Sequence, residues 1–302
     1  RDVGNGRTER IIEPQFPFES NRLFVNNGNN TFSDATKKAG VYNRAFSLSV
    51  TATDLNGDGF KDVIVGNDYI DPDFVYLNNP QQPGNFSDRS GSIFRHHSNH
   101  TMGVDVGDIN NDGLHDIMAL DMLAEPAKRR QELMNTMTLD RQTTLIKYGY
   151  GNQQMRNVLQ LNNGNGSFSE IGCLAGVFQT DWSWAPLIQD YDNDGWRDIF
   201  VANGYLRDMS NLDYINFTVD SVMRNGGLTP KAIPDVYEFL NLIPSTPLQN
   251  YCFRNRGDLT FENVSTAWGM TDLNYSNGSA YADLDNDGDL DMVINNLNSE
   301  AL

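Results

Sequence analysis

Apolar and polar positions alternate along this chain in short runs. In the first complete set, SLSVTATD (47–54) has period two, KDVIVGN (61–67) carries a compact apolar centre, and FVYLNN (74–79) and NFSDRS (85–90) follow after turn-forming residues. These runs predict four antiparallel strands. The set recurs. Apolar runs DVIVGN, DIMALD, DIFVAN and DMVINN each follow an acidic loop, and a Phe follows an Asn- or Gly-rich turn at Phe32, Phe86, Phe168 and Phe261. From each Phe to the first Asp of the next loop is 22 residues every time. A four-stranded unit of about 54 residues, somewhat longer than the roughly 40 to 45 of a WD40 repeat, predicts an all-β fold, a β-propeller of four-stranded antiparallel blades. A β-sandwich would not require so constant a spacing.

The interval from Asp62 to Asn78 is 16 residues, whereas Asp116 to Asn162 and Asp198 to Asn255 are 46 and 57. The second and third repeats therefore carry insertions at one node, about 121–156 and 205–248, and recurrence at one node predicts loops on one face. Leu, Met, Phe and Tyr recur at helix-like intervals in Glu125–Tyr148 and Leu212–Leu242, with Pro234 at a first helical position and Gly226-Gly227 as a stop. Short helices are expected, which either cap the ring or bind a partner. Residues 1–20 read as an N-terminal extension and 21–302 as the repeats. Leu23–Phe32 gives the last two strands of one blade and Ser279–Asn295 the first two of another. Those ends read as edges of a larger propeller, not as halves that complete a four-bladed ring. The start, RDVGNGRTER, has neither an initiator Met nor an apolar signal region, so the chain reads as excised from a longer precursor.

The acidic loops are DLNGDGFKD from Asp54, DINNDGLHD from Asp108, DYDNDGWRD from Asp190 and DLDNDGDLD from Asp283. Positions 1, 3, 5 and 9 are Asp or Asn throughout, position 6 is always Gly, and 14 of those 16 positions are Asp. Side chains at 1, 3 and 5 converge when a Gly at 6 permits a sharp reversal, position 9 closes the far side, and the position-7 carbonyl adds an oxygen. Such a shell suits Ca²⁺, which takes about 6 to 8 oxygens, and not Zn²⁺, which favours His and Cys. Asp-Gly hairpin turns alone would not repeat all four positions. An EF-hand needs Glu at position 12, and Val65, Ala119, Val201 and Ile294 stand there. The loops are predicted to join two strands.

Charge sharpens this picture. Lys and Arg number 22 against 40 Asp and Glu, for a net charge of −18. That balance, without a basic cluster, excludes a nucleic-acid partner. Four filled calcium sites would take −18 to −10. No apolar run approaches the roughly 18 residues of a membrane span. Cys173 and Cys252 fall at different repeat positions and are expected to be buried free thiols.

With the NNG…F turn before them and D-apolar-V after them, the loops resemble FG-GAP/VCBS repeats, the calcium-bearing blades also found in integrin α subunits, over about Leu23–Asn298. The stretches from Met102 (MGVDVGDINNDGLHDIMALDML) and Thr180 (TDWSWAPLIQDYDNDGWRDIFVANGYLRD) resemble bacterial surface proteins related to the cartilage acidic protein group. The resemblance implies up to four Ca²⁺ sites. Their ligands would be Asp54, Asn56, Asp58 and Asp62; Asp108, Asn110, Asp112 and Asp116; Asp190, Asp192, Asp194 and Asp198; and Asp283, Asp285, Asp287 and Asp291. Phe60, Leu114, Trp196 and Asp289 would coordinate through backbone carbonyls. Asn at position 3 predicts weaker binding in the first two loops, because affinity follows ligand charge.

Eight residues before each loop stand Phe46, His100, Trp182 and Tyr275. They serve either inter-blade packing or, with Trp184, a ligand-stacking face. Arg256-Gly257-Asp258 spells an adhesion tripeptide but occupies a hairpin-turn position. His96, His97 and His100 form an HHxxH cluster expected to lie on a polar rim. No nucleophile motif, phosphate loop or free acid pair is present, so the expectation is a non-catalytic calcium-binding module of the cell surface that presents a face to protein or glycan. A polysaccharide-active enzyme and a purely architectural module are the alternatives.

Overall fold

The computed structural model describes residues 2–4, 7–8, 20–133, 138–225, 227 and 236–302. Most of the expected 1–20 extension lies outside these residues, as do Pro234 and Gly226.

Three complete antiparallel sheets follow one another in chain order. Blade I consists of Phe46–Thr53, Asp62–Asp68, Phe74–Asn78 and Phe86–Asp88. Blade II consists of Gly103–Gly107, Asp116–Leu120, Val158–Asn162 and Phe168–Glu170. Blade III consists of Ser183–Gln189, Asp198–Asn203, Tyr251–Asn255 and Phe261–Asn263. Registers match from blade to blade: Ile64 pairs with Val75, Met118 with Leu159 and Phe200 with Cys252. Ser276–Ala282 and Asp291–Asn296 form the first half of blade IV, and Phe24–Asn26 with Phe32–Asp34 forms a leading hairpin. The hairpin and the half-blade belong to separate sheets, so pairing between them does not close a four-bladed ring.

The first strands of successive blades pack side by side, the arrangement of a propeller and not of a two-sheet sandwich. Second strands are therefore covered on both faces: Asp116–Leu120 and Asp198–Asn203 are buried along their whole length. This burial is why DIMAL and DIFVAN read as continuous apolar runs where an edge strand would alternate. Ile64, Val75, Val104, Ile117 and Phe168 fill the space between blades I and II. Met118, Leu159, Ile188, Ile199 and Phe253 fill the next. Where first strands crowd together, side chains are excluded: a Cβ on Gly103 would stand 2.0 Å from the Trp184 carbonyl oxygen, and one on Gly107 2.5 Å from Ile188 Cγ2.

The insertions are helical, as expected. The first contains Ala127–Glu132 and Leu139–Lys147; the second contains π-helical Tyr214–Val219 running into Asp220–Arg224, then Val236–Asn241. Both leave from second-strand ends opposite the acidic loops, and they meet at a bridge between Leu133 and Asn211. Arg129 pins the first insertion to blade III, with Nε 3.1 Å from Asp181 Oδ2 and Nη1 2.7 Å from Asp208 Oδ2. No helix among the described residues is long and apolar enough to cross a membrane.

Two expectations need correction. Both cysteines are free, but only Cys252 is buried; Cys173 is exposed, on a surface turn (Gly172–Ala175) that also exposes Leu174. His97 and His100 are buried and not on a rim: His97 pairs in parallel with Gln153 of the first insertion, and His100 is held against the Asp68 carboxylate.

Candidate metal centres and the aromatic rim

Each acidic loop joins the first and second strands of its blade and folds by capping its own backbone. In blade I, Asp54 Oδ1 accepts from the Gly57 and Asp58 N–H groups at 2.9 and 3.0 Å, and Oδ2 accepts from Gly59 at 2.8 Å. Asp58 Oδ1 accepts from Phe60 N–H at 2.9 Å. Asp108 and Asp112, Asp190 and Asp194, and Asp283 and Asp287 repeat these roles, with Leu114, Trp196 and Asp289 in the place of Phe60. The sixth-position glycines have φ of 84 to 95°, a backbone that Cβ-bearing residues rarely adopt.

One carboxylate oxygen from each of Asp190, Asp192 and Asp194 lies within 4.8 Å of the others, and the same holds for Asp283, Asp285 and Asp287. Two oxygens on one calcium ion at roughly 2.3 to 2.6 Å stand at most about 5 Å apart. The spacing therefore fits a single hard cation. In blades I and II the third position is Asn56 or Asn110, whose Nδ2 donates to Asp58 or Asp112 Oδ2 at 3.0 Å. The amide relieves carboxylate repulsion internally and leaves one charge fewer for a cation.

The ninth-position aspartates lie deeper. Asp62, Asp116 and Asp198 are fully buried, whereas Asp291 is exposed. Each buried one accepts through Oδ2 from the second loop residue (Leu55, Ile109, Tyr191) at 2.9 to 3.0 Å and through Oδ1 from the third-strand Asn N–H (Asn78, Asn162, Asn255) at 2.8 to 2.9 Å. Burial, with the other loop carboxylates adding to it, pushes Asp116 and Asp198 up to about 6 and raises Asp62. Backbone N–H groups oppose the shift without cancelling it. A bound cation would reverse it.

The third-strand asparagines clasp neighbouring blades. Asn255 Nδ2 donates to the Arg197 carbonyl of its own blade at 2.9 Å and to the Ile109 carbonyl of blade II at 2.8 Å. Asn162 likewise reaches His115 and, in blade I, Leu55. Loops and sheets are thus one hydrogen-bonded unit.

At the opposite ends of the second strands lies an aromatic rim. The Trp182 ring stacks on Tyr205 at 3.7 Å and 8°, with Trp184 6.3 Å from both. Tyr69, half exposed at φ 65°, sets its edge against Phe46 at 5.2 Å and His100 at 6.3 Å. Burial, followed by the nearby Asp208 carboxylate, raises the Tyr205 phenol. Trp182 Nε1 is buried without a hydrogen-bond partner among the described residues.

The structure thus brings Phe46, Trp182 and Trp184 into this rim. It withdraws His100, 6% exposed with Nδ1 2.7 Å from Asp68 Oδ1, because that ring is committed to packing and to the carboxylate. Tyr275 is half-buried, and its carbonyl accepts from Leu297 N–H. Tyr69 and Tyr205 were not foreseen, although each stands seven residues after a ninth-position Asp, a repeat offset that would have found them. Arg256-Gly257-Asp258 forms the expected turn: Gly257, at φ 73°, donates to Asn255 Oδ1, and Asp258 Oδ1 accepts from Thr260.

A family model described as FG-GAP-like repeat matches residues 4–65, 54–119 and 234–294, together more than half of the chain. The loop of blade III falls outside the matched segments, yet its geometry repeats that of the others. No curated protein matches the chain significantly.

Proposed function

Because this chain belongs to the FG-GAP-like repeat family, we propose that it is a non-catalytic recognition module that works outside the cell, braced by calcium in its acidic loops and presenting its aromatic rim to a glycan or protein. The convergence of three carboxylates within 4.8 Å in blades III and IV carries the calcium part of this reading. Asp54, Asp58 and Asp62 with Asn56, and Asp108, Asp112 and Asp116 with Asn110, would hold weaker ions. Calcium here is structural: it replaces carboxylate repulsion with attraction and fixes the hairpins that join first to second strands. Extracellular modules bind at about 10⁻⁴ to 10⁻³ M, so such loops fill outside cells and stay empty in a resting cytosol.

The rim supports a neutral, polyhydroxylated ligand. It offers ring faces, while Arg129 is engaged with Asp181 and Asp208. Two measurements test the reading. At ten times the dissociation constant, four independent sites add about 5 to 6 kcal/mol, so calcium should raise the melting temperature well above its value in chelator. An unchanged melting temperature defeats the calcium claim. A glycan array with a hydrolase and lyase panel tests the rest: binding lost in Trp182→Ala supports recognition, turnover overturns it, and no ligand at all returns the purely architectural role.

A further inference from the structure

The fourth position of every acidic loop has a left-handed backbone: φ is 74° at Gly57, 58° at Asn111, 58° at Asn193 and 62° at Asn286. Gly and Asn are the residues that visit this region readily, so the conformation explains the choice between them but not why three of four are Asn. The side chains of two of those three supply a reason. Asn111 Nδ2, in the loop of blade II, donates 2.9 Å to the Gly195 carbonyl in the loop of blade III. Asn193 Nδ2, in the loop of blade III, donates 2.7 Å to Asp289 Oδ1 in the loop of blade IV. Gly57 has no side chain with which to reach blade II.

The acceptors sit inside the neighbouring loop machinery. The Gly195 carbonyl belongs to the peptide unit whose N–H, on Trp196, bonds Asp194 Oδ1 at 2.8 Å, and the Gly195 N–H itself bonds Asp190 Oδ2 at 2.9 Å. Asp289 is the seventh residue of its loop, where the other loops have Phe60, Leu114 and Trp196, and its N–H bonds Asp287 Oδ1 at 2.9 Å. An acid at that otherwise apolar position is accounted for by the amide it receives from blade III.

We propose that Asn111 and Asn193 are positioning residues that couple the metal loops of blades II, III and IV, so that an ion bound in one loop raises the affinity of the next, whereas this link is missing between blades I and II. The inference rests on the calcium reading above. An ion held by the blade IV loop fixes the backbone of Asp289 and with it the carboxylate that holds Asn193. Asn193 lies between the third and fifth ligand residues of blade III, so part of the ordering cost of that loop is already met when its own ion arrives. The same argument runs from blade III to blade II through Gly195.

Trp196 makes the test selective, because the seventh residue of the blade III loop is the only indole at that position and sensitises luminescence from terbium, a calcium-sized probe ion, bound beside it. Terbium titration of the full chain should be compared with that of Asp283→Ala/Asp287→Ala, which disables the blade IV loop. Coupling energies between sites typically correspond to about 5- to 150-fold, so affinity at blade III should fall about five-fold or more. In an Asn193→Gly background the same disabling pair should change nothing further. Glycine suits the left-handed backbone, as Gly57 shows, so folding is preserved. Equal terbium affinity at blade III with and without the blade IV ligands overturns the coupling. No saturable indole-sensitised signal in the unaltered chain instead overturns the calcium reading itself, and the two failures are distinct.

Discussion

Replacing the third-strand asparagines one at a time with alanine should give a graded loss of stability, because the same residue at the same blade position holds bonds that differ in number, length and burial. Asn255 is 3% exposed and makes three side-chain bonds, donating to Ile109 and Arg197 carbonyls at 2.8 and 2.9 Å and accepting from Gly257 N–H at 2.9 Å. Asn162 makes the equivalent three, all at 3.1 to 3.2 Å. Asn78 makes two, to the Lys61 carbonyl and from Gly84 N–H, and Asn26 one, from Gly28 N–H in an exposed turn. A buried hydrogen bond contributes about 1 kcal/mol net, and an orphaned buried carbonyl costs as much or more. Asn255→Ala should therefore cost about 3 kcal/mol, Asn162→Ala about 2, Asn78→Ala about 1, and Asn26→Ala within about 0.5. Backbone bonds to the ninth-position aspartates survive in the Asn78, Asn162 and Asn255 variants, so those three isolate the side-chain clasp. Urea unfolding in saturating calcium, read by far-ultraviolet circular dichroism, gives the midpoints; a constant slope shows that stability alone changed. Equal costs at Asn26 and Asn255, or a neutral Asn255→Ala, would refute the claim that loops and blades form one clasped unit.

Two further outcomes follow from the loops. Per-site titration should rank blades III and IV above I and II, because Asp192 and Asp285 supply the charge that Asn56 and Asn110 lack; loops I and II binding as tightly would sink the ranking. In chelator, stability should rise as pH falls from 7 to 5. The folded values of Asp116 and Asp198, about 6, lie above the unfolded 3.8, so the native state binds more protons across that window and gains on acidification. With calcium bound, a proton must displace the ion and this gain disappears, so the calcium-dependent difference in melting temperature should shrink towards pH 5. A difference that grows instead contradicts the assignment of those carboxylates.

Local and periodic features were legible in the sequence. The constant 22 residues from Phe to loop fixes the fourth strand of one blade against the first of the next, and this places all four loops at one end of their sheets. Gly at position 6 and Asp at positions 1 and 5 announce loops that cap their own backbone. Contacts made between blades were not legible. Asn111 meets Gly195 across 84 residues and Asn193 meets Asp289 across 96, and nothing local distinguishes either Asn from a simple turn residue. His100 looked like a rim residue because its Asp68 partner, 32 residues away, could not be inferred from its neighbours. Cys173 looked buried by composition alone, but its short surface turn left it outside.

The polar residues at the two ends of each second strand act as a pair. At the loop end, the Asp62, Asp116 and Asp198 carboxylates accept from third-strand N–H groups. Five residues on, Asn67, Asp121 and Asn203 donate their own N–H groups, at 2.8 to 2.9 Å, to the side chains of Asp73, Asn157 and Asn250, which open the third strands. Those side chains then reach the next blade, where Asp73 accepts from Thr101 and Asn157 and Asn250 donate to Thr180 and Ser276. Donor and acceptor roles thus swap between the strands from one end to the other. A slip of one residue would break both locks and leave their buried polar groups unpaired. Register in a strand buried on both faces cannot be set by hydrophobic alternation, since alternation is absent there; these two locks, five residues apart, set it instead. The acidic loops then have a role apart from any ion, because the carboxylate closing each buried loop is also the residue that fixes how its blade is paired.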